Sequence, residues 1–373
     1  VKRFILLIIM ILSMIPLLGW KFEHDIYLSN EYLRNSAQNQ GEIYLEYYPS
    51  IQEVIYKSGN ISLDSNLELM TRGEAGIIEK NVESDFELDA YRFWLRSYAE
   101  QSEFRIGLQK INFGPARYLR SLQWFDKIDP LDPRQQTEGV WSMLMRYYGL
   151  DNSNYWFWAI YNESKLKGME LVETCNETLE MGGRIQISVL GGDLGFSYHN
   201  RGVKNQAFNE RETELFEESQ ERRFGFDSSW DIGIGLWQET SISIYDGVDD
   251  LPLYAEFYTL GTDYTFDIGN GLHLLAEHQY IRTEDKLMEV AEEERTISLL
   301  TADYPIGLYD SIMGLVSYDQ EQENIYYYIS YNRVYDYHSL YFNLSYKPQG
   351  VQDTTSQEKA SEFALQILLQ LNY

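Results

Sequence analysis

Residues 363–373 read Phe-Ala-Leu-Gln-Ile-Leu-Leu-Gln-Leu-Asn-Tyr. Phe363, Leu365, Ile367, Leu369, Leu371 and Tyr373 fall on one side of an extended chain, with Ala364, Gln366, Gln370 and Asn372 on the other, and Leu368 alone breaks the alternation. Side chains of a strand point alternately to opposite faces, whereas a helix repeats roughly every 3.6 residues, so this period selects a strand with one apolar and one polar face. The period recurs upstream, in Leu340, Phe342 and Leu344 against Ser339, Asn343 and Ser345, and in Ile185, Ile187 and Val189 against Arg184, Gln186 and Ser188.

Sixteen such runs are found, at 59–70, 86–98, 102–112, 139–149, 153–162, 181–190, 193–202, 222–231, 234–246, 256–267, 271–283, 294–304, 310–319, 323–332, 337–346 and 361–373. Strands of roughly 9–11 residues with an apolar outer and a polar inner face are the units of membrane barrels. The pattern predicts an all-β fold, a transmembrane antiparallel β-barrel of about 16 strands (range 14–18), occupying residues 59–373. Residues 20–58 are then an N-terminal periplasmic segment or a first strand.

Connection lengths orient the barrel. Glu100-Gln101, Asp151-Asn152, Gly191-Gly192, Gly269-Asn270, Pro305-Ile306-Gly307 and Val334-Tyr335-Asp336 are short, whereas 71–85, 113–138, 163–180, 203–221, 284–293 and 347–360 are long. Short periplasmic turns alternating with long outer loops are expected, with both chain ends toward the periplasm and acidic runs such as Glu217-Glu218 and Glu292-Glu293-Glu294 outside. Tyr147-Tyr148, Trp156 with Trp158, Tyr326-Tyr327-Tyr328 and Tyr335 with Tyr337 suit interfacial aromatic girdles.

Val1-Lys2-Arg3 precedes an apolar stretch from Phe4 to about Leu18, the layout of a secretory signal over residues 1–19. Ser13, Pro16 and Lys21-Phe22-Glu23 cut the stretch short of a spanning helix. The formal net charge is −28, and −30 once Lys2 and Arg3 leave. Such a chain should not seek nucleic acid, but its acidic loops suit a lipopolysaccharide surface bridged by divalent cations. The one cysteine, Cys175, rules out disulfide stapling.

The segment 104–114, Phe-Arg-Ile-Gly-Leu-Gln-Lys-Ile-Asn-Phe-Gly, followed by Phe125-Asp126-Lys127-Ile128-Asp129-Pro130-Leu131-Asp132-Pro133, resembles a feature of porin-like Gram-negative outer-membrane barrels. In them a strand reading R-x-G-x-Q-x-I-x-[WF]-G runs into a long loop with an Asp-Pro turn. Tyr373 is similar to the terminal aromatic through which such barrels engage the barrel assembly machinery. The resemblance implies an outer-membrane location, lipid and lipopolysaccharide as surroundings, a homotrimer as a common assembly, and passive diffusion of small hydrophilic solutes. Here Gly107-Leu108-Gln109 replaces the Gly-Arg-Gln of some relatives, so no solute is carried over. From the residues alone, Gly107 and Gly114 permit bends, and Asp129-Pro130 and Asp132-Pro133 end regular structure.

Parity places Tyr91, Phe93 and Leu95 outward and Arg92 and Arg96 inward, then Phe104, Ile106 and Leu108 outward and Arg105 and Gln109 inward; Arg146 and Arg184 also point inward. Charge on the lipid face costs about 2–4 kcal/mol at the bilayer midplane, which supports this assignment. A turn centred between Glu100 and Gln101 sets Arg96 opposite Arg105, and like charges there need neutralising. The 113–138 loop, with Asp126, Asp129 and Asp132, is long enough to fold inside and face Arg92, Arg96, Arg105 and Arg146 across a constriction. The competing reading is that these arginines only brace the wall.

No cofactor or metal motif is present, and His24, His199, His273, His278 and His338 form no H-E-x-x-H or Cys/His cluster. His273 and Glu277 share a lumen face without a nucleophile, so the chain reads as no enzyme, and a barrel hydrolase is the weakest alternative. A non-conducting surface barrel with structural, adhesive or ligand-binding loops is the stronger rival to a channel.

Overall fold

The computed structural model describes residues 21–34, 39–78, 81–161, 165–204, 219–248, 252–285, 293–347 and 363–372. The expected signal segment, Glu217-Glu218, Glu292 and Tyr373 lie outside the described residues.

Eighteen strands form the fold: β1 (Lys21–Arg34), β2 (Asn39–Ser58), β3 (Ile61–Ile78), β4 (Asn81–Ala99), β5 (Ser102–Gln109), β6 (Val140–Tyr148), β7 (Asn154–Tyr161), β8 (Leu179–Val189), β9 (Gly192–Val203), β10 (Ser219–Asp231), β11 (Gly235–Asp246), β12 (Tyr254–Phe266), β13 (Leu272–Glu284), β14 (Glu293–Pro305), β15 (Asp310–Asp319), β16 (Asn324–Val334), β17 (His338–Tyr346) and β18 (Phe363–Asn372). Each pairs antiparallel with its chain neighbours, and β1 pairs with β18 from Asp25↔Asn372 to Arg34↔Phe363, which closes the sheet into a barrel. Closure leaves no unpaired first or last strand.

All sixteen runs predicted from alternation coincide with strands, and the count of about sixteen is corrected to eighteen. The two additional strands, β1 and β2, lie in 20–58. Asn30 interrupts the apolar face of β1, on which Leu28 and Tyr32 are exposed, while β2 carries Ile43 and Leu45 on its exposed face and the buried Glu46 on the inner one.

The long connection expected at 71–85 is also corrected. β3 and β4 continue through it as a hairpin, with Arg72↔Glu87 in register, so that β2, β3 and β4 reach 20, 18 and 19 residues while β5 and β7 have 8 each. The wall is therefore high along β2–β4 and low along β5–β7.

Outward-facing parity holds over most of the barrel, with Phe93, Ile106, Ile185, Phe342, Leu365 and Ile367 exposed on the outer face. Tyr91 departs from it. Its strand carries a β-bulge opposite Glu68/Leu69, where Glu68 pairs with Arg92 and Leu69 with Ala90, and the extra residue turns the Tyr91 ring into the lumen against Tyr48 at 5.0 Å. Leu368, the break in the terminal strand, is fully buried inside with Tyr27 and Tyr48. Trp156 and Trp158 also point inward and pack under a loop, so they are not girdle residues. Tyr147, Tyr155 and Tyr327 do lie on the outer face.

Candidate functional site

The lumen is crossed by residues 110–139 between β5 and β6, called here the inner loop. Gly107 and Gly114 take positive φ, +125 and +98, and each is required twice over, because a Cβ would overlap the Phe93 carbonyl at the first and the Glu239 carboxylate at the second. Ile111, Phe113, Leu122, Trp124 and Phe125 of the loop form a dry cluster with Val140, Leu144, Trp158 and Ile160 of the wall. Phe113 stacks on Trp158 at 5.7 Å. Beyond it, Ala116 and the half-buried Tyr118, Leu119 and Leu131 join Trp237, Leu275, Leu299, Leu315 and Tyr328, so the loop reaches from β6–β7 across to β16.

Two buried wall carboxylates hold the outgoing limb. Glu239 of β11 accepts hydrogen bonds from the backbone N–H of Ala116 (2.8 Å) and Leu122 (3.0 Å). Glu277 of β13 accepts from the N–H groups of Arg117 (2.7 Å), Tyr118 (2.9 Å) and Leu119 (2.7 Å), and from Trp237 Nε1 (3.0 Å). Hydrogen bonds to an ionised acceptor are roughly twice as strong as neutral ones. Neither role has a signal in the sequence, where Glu277 reads only as sharing a lumen face with His273. His273 instead faces Asp263 at 3.3 Å, and His278 points outward to Ser298.

The return limb turns at the two Asp-Pro steps. Asp132 N–H bonds to Asp129 O (3.2 Å) and Gln135 N–H to Asp132 O (2.9 Å), giving two consecutive β-turns, each with its aspartate carboxylate accepting from the residue two positions on. The turns are tied to the opposite wall by Tyr328 Oη donating to Leu131 O (3.1 Å) and by Arg134 to Glu46 (2.7 Å). Arg92 donates to Thr137 O at 2.6 Å, and the Tyr91 hydroxyl accepts from Thr137 N–H at 3.0 Å. Half-burial at the start of the loop holds the Lys110 pKa below its ordinary value, with Asp126 pulling the other way.

Arg92, Arg96, Arg105, Gln109, Arg146 and Arg184 all sit on the lumen face, but the loop acids do not face the arginines as expected. The two-residue turn at Glu100 (φ +50) and Gln101 sets Arg96 opposite Arg105. Arg96 is then neutralised by Asp64 of β3 (2.7 Å) and Arg105 by Glu103 (2.8 Å). Arg184 pairs with Asp227, and Gln109 donates to Ser142 O at 3.0 Å. Arg146 lies over the Trp156 ring at 3.9 Å and, among the described residues, has no carboxylate partner. Asp126 pairs with Arg120 and Asp132 with Arg134, both inside the loop. The physical reason is economy of burial: a carboxylate enclosed in the loop takes the nearest cation, which the loop itself supplies.

No family model matches the chain, and no curated protein does. Among solved structures it is similar to Acinetobacter baumannii OccAB1, at 7% identity over 94% of this chain and 96% of that one, TM-score 0.59. It is also similar to Pseudomonas aeruginosa OccK5 (OpdH), at 11% identity over 95% and 98%, TM-score 0.56, and to Salmonella typhi OmpF in complex with daunomycin, at 8% over 95% and 97%, TM-score 0.50. The likeness is one of fold: a closed antiparallel barrel.

Proposed function

We propose that the protein is a porin-like channel of a Gram-negative outer membrane that lets small hydrophilic solutes diffuse passively, and that it is not an enzyme. The observation that carries this reading is the pairing of an apolar outer wall with a polar, arginine-bearing inner wall around an inward-folded loop. A barrel of eighteen strands is wider than its side chains alone can fill, so the loop, not the wall, sets the passage.

Arg92, Arg96, Arg105, Arg146 and Arg184, with Gln109, form the pore lining in this reading, and Asp126, Asp129 and Asp132 shape the loop that narrows it. The supporting parts of the proposal are lipid and lipopolysaccharide contact, assembly through the terminal strand ending in Tyr373, a removable signal in residues 1–19, and a homotrimer. A second reading, a non-conducting barrel, draws on the apolar clusters that tie the loop to both sides of the lumen. Purified protein in planar bilayers separates the two: stepwise ion conductance is expected from the channel, and insertion without any conductance selects the closed barrel.

A further inference from the structure

A second inward segment, residues 165–178 between β7 and β8, carries charged groups that permeation does not use. Lys167, Glu170 and Thr174 of this segment meet Glu180, His199, Arg201, Glu221 and Arg223 of β8–β10, and none of the eight is more than 7% exposed. Lys167 Nζ reaches Glu180 at 2.8 Å and Glu170 at 3.3 Å. Glu170 also reaches Arg201 (3.2 Å) and Arg223 (3.1 Å), which share Glu221. Trp158 Nε1 donates to His199 Nδ1 (3.1 Å), which leaves Nε2–H to donate to Glu180 (3.1 Å) and keeps the imidazole neutral. Three cations, Lys167, Arg201 and Arg223, thus balance three carboxylates, Glu170, Glu180 and Glu221.

We propose that Glu170 and this network are positioning residues for the inner loop, which they hold in place by fixing the tip of the 165–178 segment upon it. The inference rests on the channel reading for its effect on conductance. The far half of the segment is tied to β9 by backbone contacts, Thr174 bridging Val203, Cys175 N–H to Gly202 O (3.0 Å) and Lys204 N–H to Glu173 O (3.0 Å). The tip, 167–170, is held by ions.

That tip lies directly on the inner loop. Met169 N–H bonds to Gln123 O at 3.0 Å. A Cβ at Gly168 (φ +44) would overlap Gln123 O, so the two backbones touch with no side chain between them. His199 adds a second contact, edge-on to Phe125 at 5.0 Å. A buried charge that loses its partner is strongly unfavourable, so unbalancing the network should lift the tip into water and uncover the 121–125 limb.

The test uses the full chain with Cys175→Ser, and either Ser121→Cys, buried against Thr259 two residues before the Gln123 carbonyl that the tip covers, or Thr137→Cys on the return limb as reporter, labelled with a maleimide in detergent. Adding Glu170→Gln leaves three cations against two carboxylates and is expected to speed labelling at position 121 about tenfold, to leave position 137 unchanged, and to add open-channel noise. Adding Arg223→Met to Glu170→Gln restores the balance and is expected to bring the rate at 121 back to within about twofold of the parent. Parent-rate labelling at 121 in Glu170→Gln overturns the proposal, as does equal acceleration at both reporters or failure of the double variant to restore. If the unaltered protein does not conduct, the channel reading fails by itself, while the labelling still decides whether the network positions the loop.

Discussion

On the β11–β13 side of the lumen the wall offers carboxylates to the inner loop's N–H groups, whereas on the β2–β4 and β16 side Arg92 and Tyr328 donate to loop carbonyls, the Tyr91 hydroxyl accepts from Thr137 N–H and Glu46 takes the Arg134 guanidinium. Glu239 and Glu277 are each buried and between them accept from five loop amides. Arg92, Tyr91, Tyr328 and the Arg134–Glu46 ion pair hold the return limb through a mixed set of which several bonds are neutral. The outgoing limb is therefore the firmer anchor, and the loop acts as a crossbar fixed at both ends. What unites the ends is that the wall grips mainly backbone, which leaves Asp126 and Asp132 to pair inside the loop.

The largest effect should follow from breaking the firmer end. Glu277→Ala strands three loop amides and the Trp237 N–H in a dry site and is expected to lower stability in detergent by about 3 kcal/mol or more, read from the heat-unfolding midpoint. Arg92→Met at the other end loses charge-assisted bonds to carbonyls and should cost about 2 kcal/mol. Equal losses from the two substitutions would erase the difference between the limbs.

The sequence made some of this legible and hid the rest for identifiable reasons. Alternation disclosed sixteen strands, and it missed β2 and also β1, where Asn30 interrupts the apolar face. The Arg96–Arg105 opposition could be read because a two-residue turn fixes register by itself. Its neutraliser could not, since Asp64 reaches Arg96 only through the β3–β4 register. The β-bulge that turns Tyr91 inward has no local signal either. Glu239 and Glu277 read as ordinary lumen-facing polar residues, because their partners are backbone amides, which every non-proline residue possesses.

A smaller effect concerns selectivity and leaves the loop in place. Arg96→Ser with Arg105→Ser removes two cations whose partners, Asp64 and Glu103, remain, so the lumen gains net negative charge. The bilayer reversal potential should move toward cation preference. An unchanged potential in a normally inserted variant would make these arginines wall bracing and nothing more.

The central claim, that the inner loop and not the barrel wall sets the passage, is tested most directly by the single-channel conductance of a variant lacking residues 118–130, which carry the Leu119, Ser121 and Trp124 contacts to β11–β13. The account predicts a conductance clearly above that of the unaltered protein in the same bilayer and salt. Equal conductance from a correctly folded variant would contradict it, for the crossbar would then lie outside the path of the ions.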